Sequence, residues 1–122
     1  MRSFEGAQWF ALSKLSISDL PSYGEIPAAY AFRHGKTKDV LYVGGTSCLH
    51  QRLFGNYLGG TGGSTTKRIH AHLFDEGYIS VAEVTWFRAE DHKSRETDLQ
   101  KEYAANHNGK RPPWSGSYRR KK

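Results

Sequence analysis

An arginine and a glutamate occupy positions in two predicted helices where the hydrophobic pattern calls for apolar side chains. At about 100° per residue, Arg52 lies beside Leu49, at the edge of a buried stripe. Glu96 comes three residues before Leu99 and seven before Tyr103, on the apolar face of the last helix. A charge directed at a core is costly unless it is paired or hydrated. The two residues therefore indicate either a structural Arg52–Glu96 ion pair or a cleft that binds a cation and a phosphate.

Two tyrosines, Tyr30 and Tyr42, lie in neighbouring predicted strands and can point to the same face of a sheet. The strands, 28–32 and 40–44, flank a polar turn that contains glycine, which is the pattern of an antiparallel hairpin. Cross-strand aromatic packing is one interpretation of the two side chains. Phenolic hydroxyls that line a reactive cleft are the other.

The rest of the chain supplies the elements that must hold these side chains. Good N-cap residues precede a helix at about 48–57, whose buried stripe is Leu49, Leu53 and Tyr57. A second helix is predicted at 65–76, a strand at 79–87 and a last helix from Asp91 to about residue 106. This order predicts an α+β fold in which a small antiparallel sheet of about three strands is flanked by helices.

The length of 122 residues suits one domain. We expect an irregular or partly helical lead at 1–26, the domain proper at 27–115 and a basic tail at 116–122. The lead should anchor itself in the core through three residues: Trp9, Phe10 and Leu12.

The net charge of +6 is concentrated near the end of the chain. From His107 onward there is no acidic residue, while the part before it holds 12 basic and 12 acidic residues. A basic segment of this kind suits a polyanion partner, although solubility would explain the same charge. Its basic residues are Lys110, Arg111, Arg119, Arg120, Lys121 and Lys122.

Several classes of protein are disfavoured by the composition. Apolar runs are too short for a membrane span and no signal peptide is evident, so we expect a cytoplasmic protein without membrane contacts. A single cysteine excludes an internal disulfide framework and a multi-cysteine zinc site.

In their order along the chain, these residues resemble the GIY-YIG nuclease family. The resemblance spans about 27–115 and rests on five pieces: Ala28-Ala29-Tyr30, Tyr42-Val43-Gly44, the segment 45–53 with Arg52, Glu96-Thr97-Asp98-Leu99, and Pro112-Pro113-Trp114. Alanines replace the glycine and isoleucine of the first triplet, and valine replaces the isoleucine of the second. The order of the pieces and the spacing from Tyr42 to Arg52 carry the resemblance.

The resemblance implies hydrolysis of DNA phosphodiester bonds with one divalent metal, Mg²⁺ or another such as Mn²⁺. Glu96 would bind the metal, Arg52 would hold the scissile phosphate, and Tyr30 and Tyr42 would position and deprotonate the attacking water. Because a free tyrosine has a pKa of about 10, the metal and Arg52 would have to lower it. Glu102 is a weaker rival for the metal.

DNA is the expected partner, bound by a monomer or a weak homodimer. The expected nucleic-acid contacts are Lys67, Arg68, Lys110, Arg111, Arg119 and Arg120. His70 and His72 are expected on a helix surface or against phosphate, and Asn56 and Ser115 are candidate supporting residues.

One departure from the family pattern leaves a second function open. Ser115 stands where the family usually has asparagine after the proline segment. If that asparagine supports the site, the chain is a catalytically impaired module that binds DNA or RNA. A protein-interaction domain is the third interpretation.

Overall fold

Four antiparallel strands form one sheet in the computed structural model, which describes residues 1–20 and 26–115. The strands are β1 (Phe10–Ala11), β2 (Ala28–His34), β3 (Val40–Thr46) and β4 (Ala82–Arg88). Their order across the sheet is β1-β4-β2-β3, so β3 lies at one edge and the short β1 at the other. The α+β class predicted from the sequence is confirmed.

Three helices of eight or more residues in the described ranges cover the sheet: a π-helix (Gln51–Leu58), α1 (Ser64–Phe74) and α2 (His92–Ala105). The π-helix follows a short helical lead-in, and Thr46 Oγ1 accepts a hydrogen bond of 3.1 Å from the Cys48 N–H just before it. All three helices were predicted, with boundaries that differ by up to three residues. Each helix of the described residues is too short or too polar to traverse a lipid bilayer.

The two faces of the sheet bury different side chains. One face, which we call the tyrosine face, carries Tyr30 and Phe32 and packs against the π-helix and α1. The stripe predicted for the first helix is fully buried there: Leu49, Leu53 and Tyr57. The opposite face carries the small side chains of Ala29 and Ala31, against which Leu99 of α2 packs. Small residues let that helix lie close to the sheet.

The structure adds one short strand to the three expected and moves the start of the last one. β1 was not predicted, because two residues are too few to show an alternating pattern. β4 begins at Ala82 instead of residue 79, because Tyr78–Ser80 forms a 3₁₀ turn after Gly77, whose φ is +82°. Of the three expected anchors in the lead, Leu12 is buried, whereas Trp9 and Phe10 are only half-buried.

Leu99→Ala should destabilise the fold by about 2–5 kcal/mol, because a fully buried leucine that fixes α2 on the sheet leaves a cavity. The free energy of unfolding from urea titration measures this cost. Phe74→Ala is the control, because Phe74 is 45% exposed and its loss should cost less than about 1 kcal/mol. Equal costs for the two variants would contradict the packing described here.

Candidate active site

Three tyrosines form a cluster on the tyrosine face. The ring of Tyr30 lies 6.3 Å from that of Tyr42 and 6.0 Å from that of Tyr57, measured between centroids. The hydroxyls of Tyr30 and Tyr57 share a short hydrogen bond. Tyr30 and Tyr57 are buried, whereas Tyr42 is half-buried and is the member nearest to solvent. The prediction that Tyr30 and Tyr42 face the same side of the sheet is confirmed.

Gly44 makes room for the Tyr30 hydroxyl. The two residues are opposite each other in the β2–β3 register. A Cβ atom on Gly44 would lie 2.5 Å from the Tyr30 hydroxyl oxygen, well inside van der Waals contact. The glycine is therefore required by the close approach of the tyrosine across the strand pair.

Tyr57 is the member of the cluster that sequence reasoning missed, because it was assigned to the apolar stripe. At about 100° per residue, positions 52 and 57 of a regular α-helix point to different faces. In a π-helix, where hydrogen bonds join residues five apart, Arg52 and Tyr57 come together. The available signal was a hydroxyl at a core position, the same kind of signal that selected Arg52 and Glu96.

Arg52 lies next to this cluster. Its guanidinium carbon is 6.0 Å from the centroid of the Tyr57 ring, and its charge interacts with all three tyrosines. Burial opposes the charge, but the tyrosine oxygens outweigh it and raise the pKa of Arg52. Its Nε atom is buried and has no hydrogen-bond partner within the described ranges. The described residues thus leave this buried donor unsatisfied.

Glu96 reaches the open edge of β3 from α2. One carboxylate oxygen accepts a hydrogen bond of 2.9 Å from the Gly45 N–H, and the other lies 3.4 Å from the Gln100 amide nitrogen. The negative charge of Glu96 is also one of the causes that raise the pKa of Tyr42. Of the ion pairs formed by the described residues, none joins Glu96 to Arg52. The structural ion pair considered from the sequence is therefore not formed between these two residues.

The surroundings of the three tyrosines oppose the ionisation of their hydroxyls. Burial raises the pKa of Tyr30 and Tyr42, and the neighbouring phenols raise it further. Burial also raises the pKa of Tyr57. Arg52 acts in the opposite direction on each of these pKa values but does not prevail. The protein itself therefore keeps all three hydroxyls protonated at neutral pH.

Glu96 is the carboxylate that the described residues offer to a divalent cation at this site. These residues contain no group of three or more histidine, cysteine or acidic side chains that could hold a metal. One carboxylate suits Mg²⁺, which commonly binds one or two and completes its shell with water and phosphate oxygens. Glu102 is engaged elsewhere, because its carboxylate accepts hydrogen bonds from the Ser3 backbone and hydroxyl. Partial burial opposes its ionisation, but these bonds outweigh that effect and lower the pKa of Glu102.

The remaining predicted residues are less closely connected with the cluster. Asn56 donates to the Thr61 carbonyl oxygen and stabilises the loop after the π-helix. Ser115 has a buried hydroxyl without a hydrogen-bond partner in the described part of the chain.

The predicted nucleic-acid contacts differ in their exposure. Lys67, Lys110 and Arg111 are exposed, whereas Arg68 is half-buried and lies 3.5 Å from the Trp114 carbonyl oxygen. Arg119 and Arg120 lie outside the described residues.

His70 supports the end of the π-helix, a role that the sequence did not suggest. Its Nδ1 lies 2.8 Å from the Tyr57 carbonyl oxygen, which is exposed by the end of the helix. His72 stacks on Trp114 at 5.0 Å between ring centroids instead of facing solvent freely. Both histidines therefore have structural contacts.

Compared with models of known protein families, the chain matches none, and no curated protein matches it either.

The fold should lose stability as the pH rises above about 10. Above this pH the unfolded chain releases its tyrosine protons, whereas the folded cluster retains them because its pKa values are raised. Because the unfolded state then binds fewer protons than the folded state, the free energy of unfolding falls as the pH rises. Tyr57→Phe should make the free energy of unfolding less dependent on pH in this range. Urea titrations from about pH 8 to about pH 11 measure the slope, and Tyr78→Phe, outside the cluster, is the control. An unchanged slope for Tyr57→Phe would contradict the assignment.

Proposed function

We propose that this site hydrolyses DNA phosphodiester bonds with the help of one divalent metal ion. The observation that carries the proposal is the placement of four residues from four different elements: Tyr30, Tyr42, Arg52 and Glu96. Their order along the chain is what resembles the nuclease family. Tyr30, Tyr42 and Arg52 belong to one aromatic cluster, and Glu96 approaches the neighbouring edge of β3 from α2.

Arg52 is the phosphate-binding group in this proposal. Its unpartnered buried Nε and its planar guanidinium suit two parallel hydrogen bonds to phosphate oxygens. The positive charge stabilises the extra negative charge that develops in the transition state. A bound phosphate would also satisfy the buried donor that the protein leaves open.

The tyrosine hydroxyls orient the attacking water. Because they stay protonated at neutral pH, we assign them hydrogen-bonding roles in place of the base role expected from the sequence. Tyr42 is the member that solvent reaches, and Tyr30 and Tyr57 hold its surroundings rigid through their shared hydrogen bond. A divalent cation bound by Glu96, magnesium or manganese, would supply polarisation of the phosphate and stabilisation of the leaving oxygen.

Exposed cations support a DNA substrate. Lys67, Lys110 and Arg111 are exposed, and lysine or arginine side chains bind phosphate backbones by releasing counterions. This part of the proposal predicts affinity that falls as salt concentration rises. It does not distinguish DNA sequences, because phosphate contacts carry no base information.

Glu96→Gln should reduce cleavage of supercoiled DNA by about 100-fold or more in the presence of Mg²⁺ or Mn²⁺, because the metal loses its carboxylate. Glutamine keeps an oxygen that can accept from the Gly45 N–H, so the fold should survive. Glu102→Gln is the matched control and should cleave normally. Absence of cleavage by the unmodified protein on supercoiled, single-stranded and branched DNA would refute the proposal, as would a loss confined to Glu102→Gln.

A catalytically impaired module that binds DNA or RNA is the second candidate. The observation in its favour is the Ser115 hydroxyl, which is buried and unpartnered among the described residues at the position where a longer amide side chain is expected.

Ser115→Asn separates the two candidates. If the unmodified protein binds DNA without cutting it, and Ser115→Asn restores cutting by about tenfold or more over background, the impaired-site interpretation is correct. Gel-shift and nicking assays on the same plasmid measure both properties. Efficient cutting by the unmodified protein would exclude the impaired-site interpretation.

A further inference from the structure

The outer edge of β4 is open over part of its length. β1 pairs with β4 only at Val84 and Glu83, through Phe10 and Ala11. No other strand of the described residues pairs with this edge. Beyond Val84, β4 continues to Arg88.

The backbone of Trp86 points away from the sheet at this open edge. Just before β4, the Val81 carbonyl oxygen accepts a hydrogen bond of 2.8 Å from the Gly35 N–H. Just after β4, the Ala89 N–H donates one of 2.9 Å to the Pro27 carbonyl oxygen. Both partners flank β2, so the two bonds lie on the β2 side. Because residues of an antiparallel strand alternate in the direction of their N–H and C=O groups, the odd-numbered residues of β4 bond to β2. The N–H and C=O groups of Trp86 and Arg88 therefore face outward.

A cleft of about 720 Å³ lies along this edge. The lead contributes one wall at Glu5 and Gln8, and Thr85, Trp86 and Phe87 of β4 contribute another. The Thr85 hydroxyl donates a hydrogen bond of 2.7 Å to the Gln8 carbonyl oxygen, which fixes the lead in this position.

The cleft also has an aromatic surface. Phe10 and Trp86 stack at 4.9 Å between ring centroids, with an angle of 16° between their planes. The cleft therefore combines apolar rings with outward-facing backbone groups, the two features that an added strand uses.

Of the side chains along the open part of this edge, only Arg88 is charged, and its Nε donates a hydrogen bond of 2.9 Å to the Glu90 carboxylate. Exposed sheet edges commonly carry lysine, proline or a bulge, which discourage the addition of another strand. Thr85, Trp86 and Phe87 are uncharged residues of high strand propensity. This edge is therefore suited to accept a further strand.

The charge of the cleft favours a basic occupant. Two carboxylates, those of Glu5 and Asp19, line it together with the guanidinium of Arg95. Arg95 in turn lies 3.6 Å from the Asp91 carboxylate. The lining is thus locally acidic in a chain whose net charge is +6, so it attracts cationic side chains and repels a phosphate backbone.

We propose that the outer edge of β4 binds an extended, basic segment of a partner protein by strand addition. The segment pairs with the backbone of Trp86 and Arg88, while its cationic side chains face Glu5 and Asp19. The lead walls the cleft on one side, so a single strand fits more readily than the edge of a second copy of this chain. This surface is separate from the proposed nuclease site, which lies at the β3 edge.

Amide hydrogen exchange of the full chain, followed by NMR, tests the proposal. The probe is a synthetic peptide of alternating lysine and valine with blocked ends. At millimolar peptide, exchange of the Trp86 and Arg88 amides should slow by about tenfold or more, because they become hydrogen-bonded. The amides of Thr85 and Phe87 already bond to β2 and are the internal control. A peptide methylated at alternate backbone nitrogens should give no protection, and equal protection by it would contradict strand addition.

Charge variants and competing ligands complete the test. Glu5→Lys should weaken peptide binding about tenfold, whereas Asp98→Lys, a charge reversal on exposed α2, should leave it unchanged. No slowing at Trp86 and Arg88 would overturn the proposal. Slower exchange of these amides with an oligonucleotide in place of the peptide would overturn the proposal in favour of nucleic acid. Slower exchange on raising the protein concentration alone would overturn it in favour of a second copy of the chain.

Discussion

The absence of a side chain at Gly45 controls how the two halves of the candidate site meet. A Cβ atom there would clash with the His92 carbonyl oxygen and would lie 3.2 Å from the Glu96 Cβ. Because the position is glycine, the first turn of α2 can rest directly on the edge of β3. The Gly45 N–H then donates to Glu96, which satisfies an edge group that would otherwise be open to another strand. The same contact fixes the carboxylate at the edge of β3.

Two successive glycines serve opposite faces of the sheet. Gly44 leaves space for Tyr30 on the tyrosine face, and Gly45 leaves space for α2 on the other face. This division follows from the alternation of side chains along a strand. The site is consequently assembled around the edge of the sheet, with phenols from one face and a carboxylate from the other.

Local patterns were sufficient to predict much of this arrangement. The β2–β3 hairpin, the three helices and the buried positions of Leu53 and Leu99 follow from alternation and helical periodicity. The polar residues at apolar positions, Arg52 and Glu96, directed attention to the candidate site, whose function stays a prediction. What the patterns could not give depends on tertiary structure. The π-helical geometry that unites Arg52 with Tyr57 and the burial that keeps Tyr30 protonated both arise only when the layers pack.

The hydrogen bonds between Ser3 and Glu102 have a kinetic consequence. They join residues 99 positions apart, and β2 must likewise pair with β4, where Arg33 and Glu83 are 50 positions apart. Closing such long loops costs chain entropy before the contacts repay it, so folds rich in distant pairings form slowly. The β2–β3 hairpin rests on local contacts, whereas the Gly45–Glu96 hydrogen bond closes a loop of 51 positions. The carboxylate of the candidate site is therefore held by a distant pairing of the kind that slows folding.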